Sequence, residues 1–423
     1  MKTRTSSGAP DAPPDAAADD RSAVSGAARF ERRRSDIIAA AIPVLNGHGF
    51  KGMRLTDVAE LIGLRSTGVT YYFPRKEELA VACLESGMAI IHELLEVAEK
   101  EADAVSRVSR FIELFVARDA AVRRGEATPL ASFGPLSALE GPHRAQVVEG
   151  YGVMFRRVRA LFKSPANAGA GSGAWSIRTL ILLEQLYWSN AWLGDHDLDE
   201  FPRLARCMTD LVVNGLARPG SDFSPVELRL FTRAVEADAS KDSFLLAATR
   251  QINAHGYRGA SIDRISASLN MTKGAFYHYN DAKDDLVAAC FRRSFGIVRE
   301  AQRQVREQDM GDWRKLVTAV AALFRFQLSP DGPLLRTSVL SSMPKEHQVE
   351  IVKLSYKVGR TFASMIADAI ADGGARPVDP TIASHMLSAA VNVASEFSIM
   401  RPASDAADPA IYAQVLMRGL IRP

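Results

Sequence analysis

The sequence predicts an all-α protein, and three observations predict it. Past residue 27, apolar residues recur at steps of three and four, as in Ile37, Ile38, Ala41 and Leu45, or Phe244, Leu245, Ala248 and Ile252. No run alternates apolar and polar residues between turn signals, as a half-buried strand requires. Residues 35–83 also align without gaps on residues 242–290 at a constant offset of 207, with eleven of the 49 positions identical. That period is far too long for a solenoid and reads as a duplicated module.

A chain of 423 residues predicts two to four globular units. The formal charge of +3, from 52 Lys and Arg against 49 Asp and Glu, excludes a histone-like polycation. Any nucleic-acid contact must come from local placement of basic groups. Three cysteines cannot build a disulfide framework, which fits a reducing cytoplasm. The longest uncharged stretch, Pro380–Ser395, is too short to span a bilayer, and the N-terminus lacks the apolar region of a secretion signal. The expected location is the cytoplasm, with no membrane partner.

Residues 1–27 are Pro, Ala, Asp and Ser with almost no large apolar side chain, so a disordered tail is expected there. The first head covers 28–80 and its helical body 81–217. A Pro/Gly/Ser-rich break opens a linker over 218–238, followed by a second head over 239–287 and a second body over 288–423. In each head a first helix ends at His48-Gly49 or His255-Gly256, where glycine suits a left-handed cap. A second helix is expected at about 54–62 and 261–269, and a third at about 66–72 and 273–279. Tight turns at Gly63-Leu64 and Asn270-Met271 separate them, and a fourth helix starts near Lys76 and Lys283. Two short helices joined by such a turn form a helix-turn-helix, whose second helix enters the major groove.

These residues carry a resemblance. MTKGAFYHYNDAKDDL (271–286) looks like the recognition segment of the TetR family of transcriptional regulators, and GLRSTGVTYYFPRKEEL (63–79) resembles it slightly less closely. It covers about 50 residues of each half; the helical remainders match the family's ligand-binding and dimerisation region only in pattern. The resemblance implies double-stranded DNA as partner and a repressor that leaves its operator when a small-molecule effector binds the C-terminal domain. In the second copy Thr272 suits an N-cap, and Lys273 with the first backbone amides faces phosphate. Gly274 and Ala275 belong to the expected DNA-binding set, Phe276 points inward, and Tyr277, His278 and Tyr279 lie on the outer side. Lys283 clamps the backbone, and Ser261 contributes from the preceding helix. The matching positions of the first copy are Arg65, Ser66, Thr67, Gly68, Thr70, Tyr71, Tyr72 and Lys76, with Arg54 and Thr56 from the preceding helix. A competing reading packs the tyrosines between helices. The acids after each lysine read as ordinary helix N-termini.

Three departures bear on DNA contact. Arg65 stands where the family has a capping Ser or Thr, so the third helix is expected to start at Ser66. Pro43 lies inside the first helix and should kink it. Asp263 faces Thr56 across the repeat, where a carboxylate repels phosphate or accepts from a cytosine amino group. The alternative function is therefore a ligand-binding or protein-interaction module with degenerate heads.

Within the family, two C-terminal helices of each subunit form a four-helix interface. Candidates are Ala174–Leu193 and Phe201–Leu216, then Thr381–Met400 and Pro409–Leu420, which leads to an intrachain pseudo-dimer, with a homodimer of chains as the other possibility. An apolar or aromatic effector would be lined by residues such as Phe111, Phe115, Phe155, Trp188, Phe324, Phe362 and Met386, although helical spacing suits plain core equally well. Asp195-His196-Asp197 and Gly169–Gly173 read as connections, not as metal or phosphate sites, and Cys83 and Cys290 as small buried hydrophobes. No cofactor, metal or catalytic constellation is expected.

Overall fold

The computed structural model describes residues 16–133, 139–164, 172–230, 239–260, 262–268, 283–396 and 409–421. Among these residues every regular element is helical, and the one extended contact is an isolated bridge between Ala217 and Ala375. No helix there is long and apolar enough to cross a membrane.

Helix α1 (Ala16–Gly52) begins inside the stretch whose composition predicts a disordered tail. Ala, Asp and Arg dominate its start, and no proline falls between Pro14 and Pro43, so local propensity supports a helix without large apolar side chains. Pro43 lies inside α1, yet the dihedrals leave the helical region at Gly49 (φ 64°, ψ 172°), not at the proline. Ile42 and Val44 on either side of the proline are buried. Its counterpart α9 (Ala239–Gly259) does the same at Gly256 (φ 72°, ψ 170°). Both helices turn where only glycine escapes a steric penalty.

The first half continues with α2 (Leu55–Leu61), α3 (Ser66–Tyr72) and α4 (Lys76–Ala98), then α5 (Ala104–Arg123), α6 (Gly141–Ala160), α7 (Ser172–Leu193) and α8 (Phe201–Asn214). The second continues with α10 (Ile262–Ser268), α11 (Lys283–Arg306), α12 (Asp312–Gln327), α13 (Lys345–Ala371), α14 (Pro380–Val393) and α15 (Ala410–Arg418). Helix pairings recur: α4 packs on α1, α5 and α6 as α11 packs on α9, α12 and α13, while α5 meets α8 as α12 meets α15.

Individual contacts recur as well. Cys83 Sγ donates to the Ile38 carbonyl (3.8 Å) and Cys290 Sγ to the Leu245 carbonyl (3.5 Å). Asn46 donates to the Leu130 carbonyl (2.8 Å) and accepts from the Ser132 amide (2.7 Å). Asn253 donates to the Leu334 carbonyl (2.9 Å) and accepts from the Arg336 amide (3.1 Å). Gln146 on Glu85 (2.6 Å) corresponds to Arg292 on Glu350 (2.8 Å). The partners of the two asparagines are 204 residues apart (334 − 130), so the bodies repeat at a slightly shorter offset than the heads.

A continuous buried cluster runs from Met88 to Leu420 through both bodies and takes in Phe244, Ile252 and Ile265 of the second head. The first head has its own cluster around Ile37, Ile42, Val58, Val69 and Leu79. The halves meet where α7 packs on α14. Gln185 Nε2 donates to the Met386 carbonyl (2.7 Å), Asn392 Nδ2 to Glu184 (3.1 Å), and Trp192 stacks on His385 with centroids 5.2 Å apart. They meet again where α8 and α15 end. The Leu216 and Ala217 amides donate to the Met417 carbonyl (2.8 Å each), and the Leu420 amide to Val212 (2.7 Å). A Cβ on Gly215 would stand 2.2 Å from Met417 O, and one on Gly419 2.2 Å from Val213 O. Only glycine permits this crossing.

Within the 218–238 linker the described part is held against the second body. Trp313 Nε1 donates to the Asp222 carbonyl (2.7 Å), Arg314 Nε to Ser224 (3.0 Å), and the Val226 amide to Thr318 Oγ1 (3.2 Å). The helices at the centre end earlier than sequence suggested, α8 at Asn214 and α14 at Val393 with a 3-10 turn to Glu396; residues 397–400 lie outside the described residues.

Candidate nucleic-acid interface

In the first head α2 and α3 are joined by the turn at Gly63-Leu64, and α3 is anchored by buried Val69 and Phe73. Those anchors turn one face of α3 outward. Arg65, Ser66, Thr67, Thr70 and Tyr71 are exposed, as are Arg54 and Thr56 beside them, while Gly68 and Tyr72 are half-buried. Tyr71 is 73% exposed. Arg65 occupies the N-cap position without a side-chain cap, so α3 starts at Ser66. Thr70 Oγ1 donates back to the Thr67 carbonyl (3.1 Å), and Thr56 Oγ1 to Asp57 (3.3 Å).

Lys76 and Lys283, the expected backbone clamps, each rest on an aromatic ring. Lys76 Nζ lies 4.9 Å from the Phe50 ring centroid and Lys283 Nζ 5.1 Å from that of Tyr257, so each ammonium rests on the aromatic residue after the His-Gly corner. A cation over a ring face is attracted by the ring quadrupole, which ties the first helix to the start of the fourth. The hydroxyl of Tyr257 donates to Asp284. Glu78 pairs with Arg75 (3.4 Å), an ordinary helix-start contact.

Sequence reasoning missed the basic run Arg29, Arg32, Arg33 and Arg34. The Phe30 ring lies 4.7 Å from Tyr72 and 6.1 Å from Tyr71, and the Arg34 guanidinium lies 5.1 Å from the Phe73 centroid. These contacts hold the N-terminal part of α1 beside α3, leaving Arg29 and Arg32 exposed and Arg33 half-exposed. The signal was present as RFERRR (29–34), against EADASK (236–241) at the same place in the second copy.

In the second head Asp263 and Arg264 are exposed on α10. Ser261, Thr272, Lys273, Gly274, Ala275, Tyr277, His278 and Tyr279 lie outside the described residues. The heads stand side by side: α1 packs on α9, and Asn46, His48 and Phe50 share a cleft with Asn253, His255 and Tyr257.

Five of the seven candidate ligand residues pack as core. Phe111, Phe115, Phe155 and Phe324 are buried in the shared cluster, and Met386 lies between α7 and α8. Large side chains at helical spacing fill space before they line it. Trp188 and Phe362 do line one cavity, in the second half. Burial pushes the thiols of Cys83 and Cys290 up to about 12, which keeps both protonated and unreactive. Among the described residues no cluster of His, Cys, Asp or Glu could hold a metal, and His196 faces Glu200 (3.3 Å) instead.

The family model described as "Bacterial regulatory proteins, tetR family" matches residues 244–290. That segment includes the stretch whose sequence resembles the family's recognition segment. The HTH-type transcriptional regulator RutR of Escherichia coli K12 is 33% identical over 82 residues, 19% of this chain, and the chain spans 39% of RutR's length. The transposon Tn10 TetC protein of Escherichia coli is 24% identical over 132 residues, covering 31% of this chain and 66% of TetC. Among solved structures, apo AibR aligns at 20% identity with a TM-score of 0.34 over 42% of this chain and 95% of its own, and AibR has also been solved with isovaleryl coenzyme A and operator DNA. The TetR family regulator PfmR from Thermus thermophilus aligns at 18% identity with a TM-score of 0.35, over 42% of this chain and 98% of PfmR.

Proposed function

We propose that the chain is a tandem transcriptional regulator of the TetR type, acting in the cytoplasm, in which one polypeptide supplies both reading heads. The domain boundaries are those read from sequence, and the arginines of α1 fall inside the first head. The observation that carries this reading is the repetition of contacts. Cys83 and Cys290, Asn46 and Asn253, and Lys76 and Lys283 make equivalent bonds in the two halves. The reciprocal crossing at Gly215 and Gly419 supports an intrachain pseudo-dimer, with α7 and α14 at its centre.

DNA is read by α3 of the first head through Arg65, Ser66, Thr67, Thr70 and Tyr71, with Arg54 and Thr56 at its side. Hydroxyls and a guanidinium on an exposed helix face suit base edges and phosphates alike. In the second head the corresponding group is Ser261, Thr272, Lys273, Gly274, Ala275, Tyr277, His278 and Tyr279. Because linkage replaces bimolecular association with a high effective concentration, a single chain occupies an operator without dimerising. A small-molecule effector releases the DNA, which makes the protein a repressor. A gel shift against DNA from the protein's own gene region tests the reading. A retarded band that weakens steeply with salt is expected. Absence of any band at low salt contradicts it and favours a module with degenerate heads.

A further inference from the structure

The bodies differ in one place where their contacts say they should agree. In the second half α11, the segment 334–337, α13 and α14 enclose a cleft of about 560 Å³ including its open mouth. Its walls are largely apolar, with Phe295, Val298, Val358 and Phe362 prominent, and Trp188 reaches in from α7 of the other half.

The same place in the first half carries aromatic rings. The repeated contacts fix the correspondence: 204 residues separate Phe133 from Thr337, Tyr151 from Ser355 and Phe155 from Gly359, the offset of the Leu130 and Leu334 partners (334 − 130 = 204). Phe133 lies 5.4 Å from Tyr151 and 5.8 Å from Tyr187, and Tyr151 lies 6.2 Å from Phe155, centroid to centroid. Three aromatic rings occupy what Thr337, Ser355 and Gly359 leave open. At Gly359 an added Cβ would meet no atom within 4 Å.

The polar groups of the cleft narrow the ligand chemistry. Ser294 is satisfied, donating to the Cys290 carbonyl (2.9 Å) and accepting from the Leu335 amide (2.8 Å). Asn392 donates to Glu184 (3.1 Å) and accepts from the Thr337 amide (3.0 Å). Trp188 Nε1 and Thr337 Oγ1 are buried without a hydrogen-bond partner among the described residues. A buried donor left unpaired costs free energy that a ligand acceptor recovers. Among the described residues no charged side chain lines the cleft, so none of them compensates the desolvation of an ion.

We infer that the second half holds a single small-molecule site for an uncharged apolar compound bearing a hydrogen-bond acceptor, and that the first half fills its equivalent place with its own aromatic side chains. One ligand per chain then acts on both halves, because Trp188 sits on the α7 helix that packs against α14. This consequence rests on the regulator reading; the binding site does not.

The test uses the full chain without DNA, titrated calorimetrically with acetophenone, ethylbenzene and benzoate, with stoichiometry from native mass spectrometry. Acetophenone binds at one per chain, ethylbenzene roughly three- to tenfold more weakly for want of an acceptor, and benzoate on the order of a hundredfold more weakly. Trp188→Phe shrinks the preference for acetophenone over ethylbenzene. Thr337→Phe with Ser355→Tyr, which copies the first half, abolishes binding and raises the melting temperature; Phe133→Thr with Tyr151→Ser gives two ligands per chain. Failure of acetophenone to bind, two sites in the native chain, preference for benzoate, or a lower melting temperature in the filled variant overturns the inference. DNA affinity measured on the same ligand-free chain separates the two claims: a chain that takes the ligand but ignores DNA sinks the regulator reading alone.

Discussion

In the first half Cys83 reaches Ile38, Asn46 holds residues 130 and 132, and Lys76 lies on Phe50. Inside the second, Cys290, Asn253 and Lys283 do the same to Leu245, residues 334 and 336, and Tyr257. What each head presents outward does not agree. The first carries RFERRR and the exposed Thr67, Thr70 and Tyr71, whereas the second has EADASK at the same place and exposes Asp263 where the first has Thr56. Contacts that fix each head on its body are kept, and residues free of that task have diverged. On the proposed reading, the two halves share the geometry of a paired reader and differ in the sequence they read.

Breaking the shared geometry has the largest effect. Gly215→Val forces a Cβ against the Met417 carbonyl and a β-branched residue into positive φ. It costs on the order of 3–5 kcal/mol, read as a drop in melting temperature; an unchanged transition contradicts the crossing. Asn46→Ala and Asn253→Ala each leave two backbone partners unsatisfied. Each costs about 2 kcal/mol in denaturant unfolding, and a large disparity between them breaks the equivalence of the heads. Tyr71→Ala leaves stability nearly unchanged, since the ring is mostly exposed, and weakens DNA binding about tenfold, roughly 1.4 kcal/mol. Arg29→Ala with Arg32→Ala reduces the salt dependence of DNA binding by about one phosphate contact per arginine, with little change in sequence preference.

The smallest effect concerns the α7–α14 contact. Burial holds His385 below its ordinary value of 6.5, with His196 adding to the depression and Asp195 and Asp379 opposing it. The unfolded chain therefore binds the proton more readily, so stability declines as pH falls through about 6.5. His385→Phe flattens that slope in melting curves, and an unaltered slope removes His385 from the account.

Much of the head was legible in sequence because its signals are local. Periodicity places α2, α3 and α10 to within a residue or two, the His-Gly corner marks both breaks, and Ser66 is readable as the start of α3. The basic strip escaped because it precedes the first apolar turn and gains meaning only when Phe30 meets Tyr72. In the bodies the repeat slips from 207 to 204 residues and identities fade. The correspondence of Tyr151 with Ser355 therefore becomes visible only through repeated contacts such as Gln146 on Glu85 and Arg292 on Glu350. Large apolar residues were easy to find, but whether they fill a space or line one depends on neighbours from other helices.

The most direct measurement is selection of bound sequences from random DNA, with the mass of the selected complex determined in parallel. The account predicts one chain on a site with two unlike half-sites about one DNA turn apart. A perfect palindrome carrying two chains would contradict it.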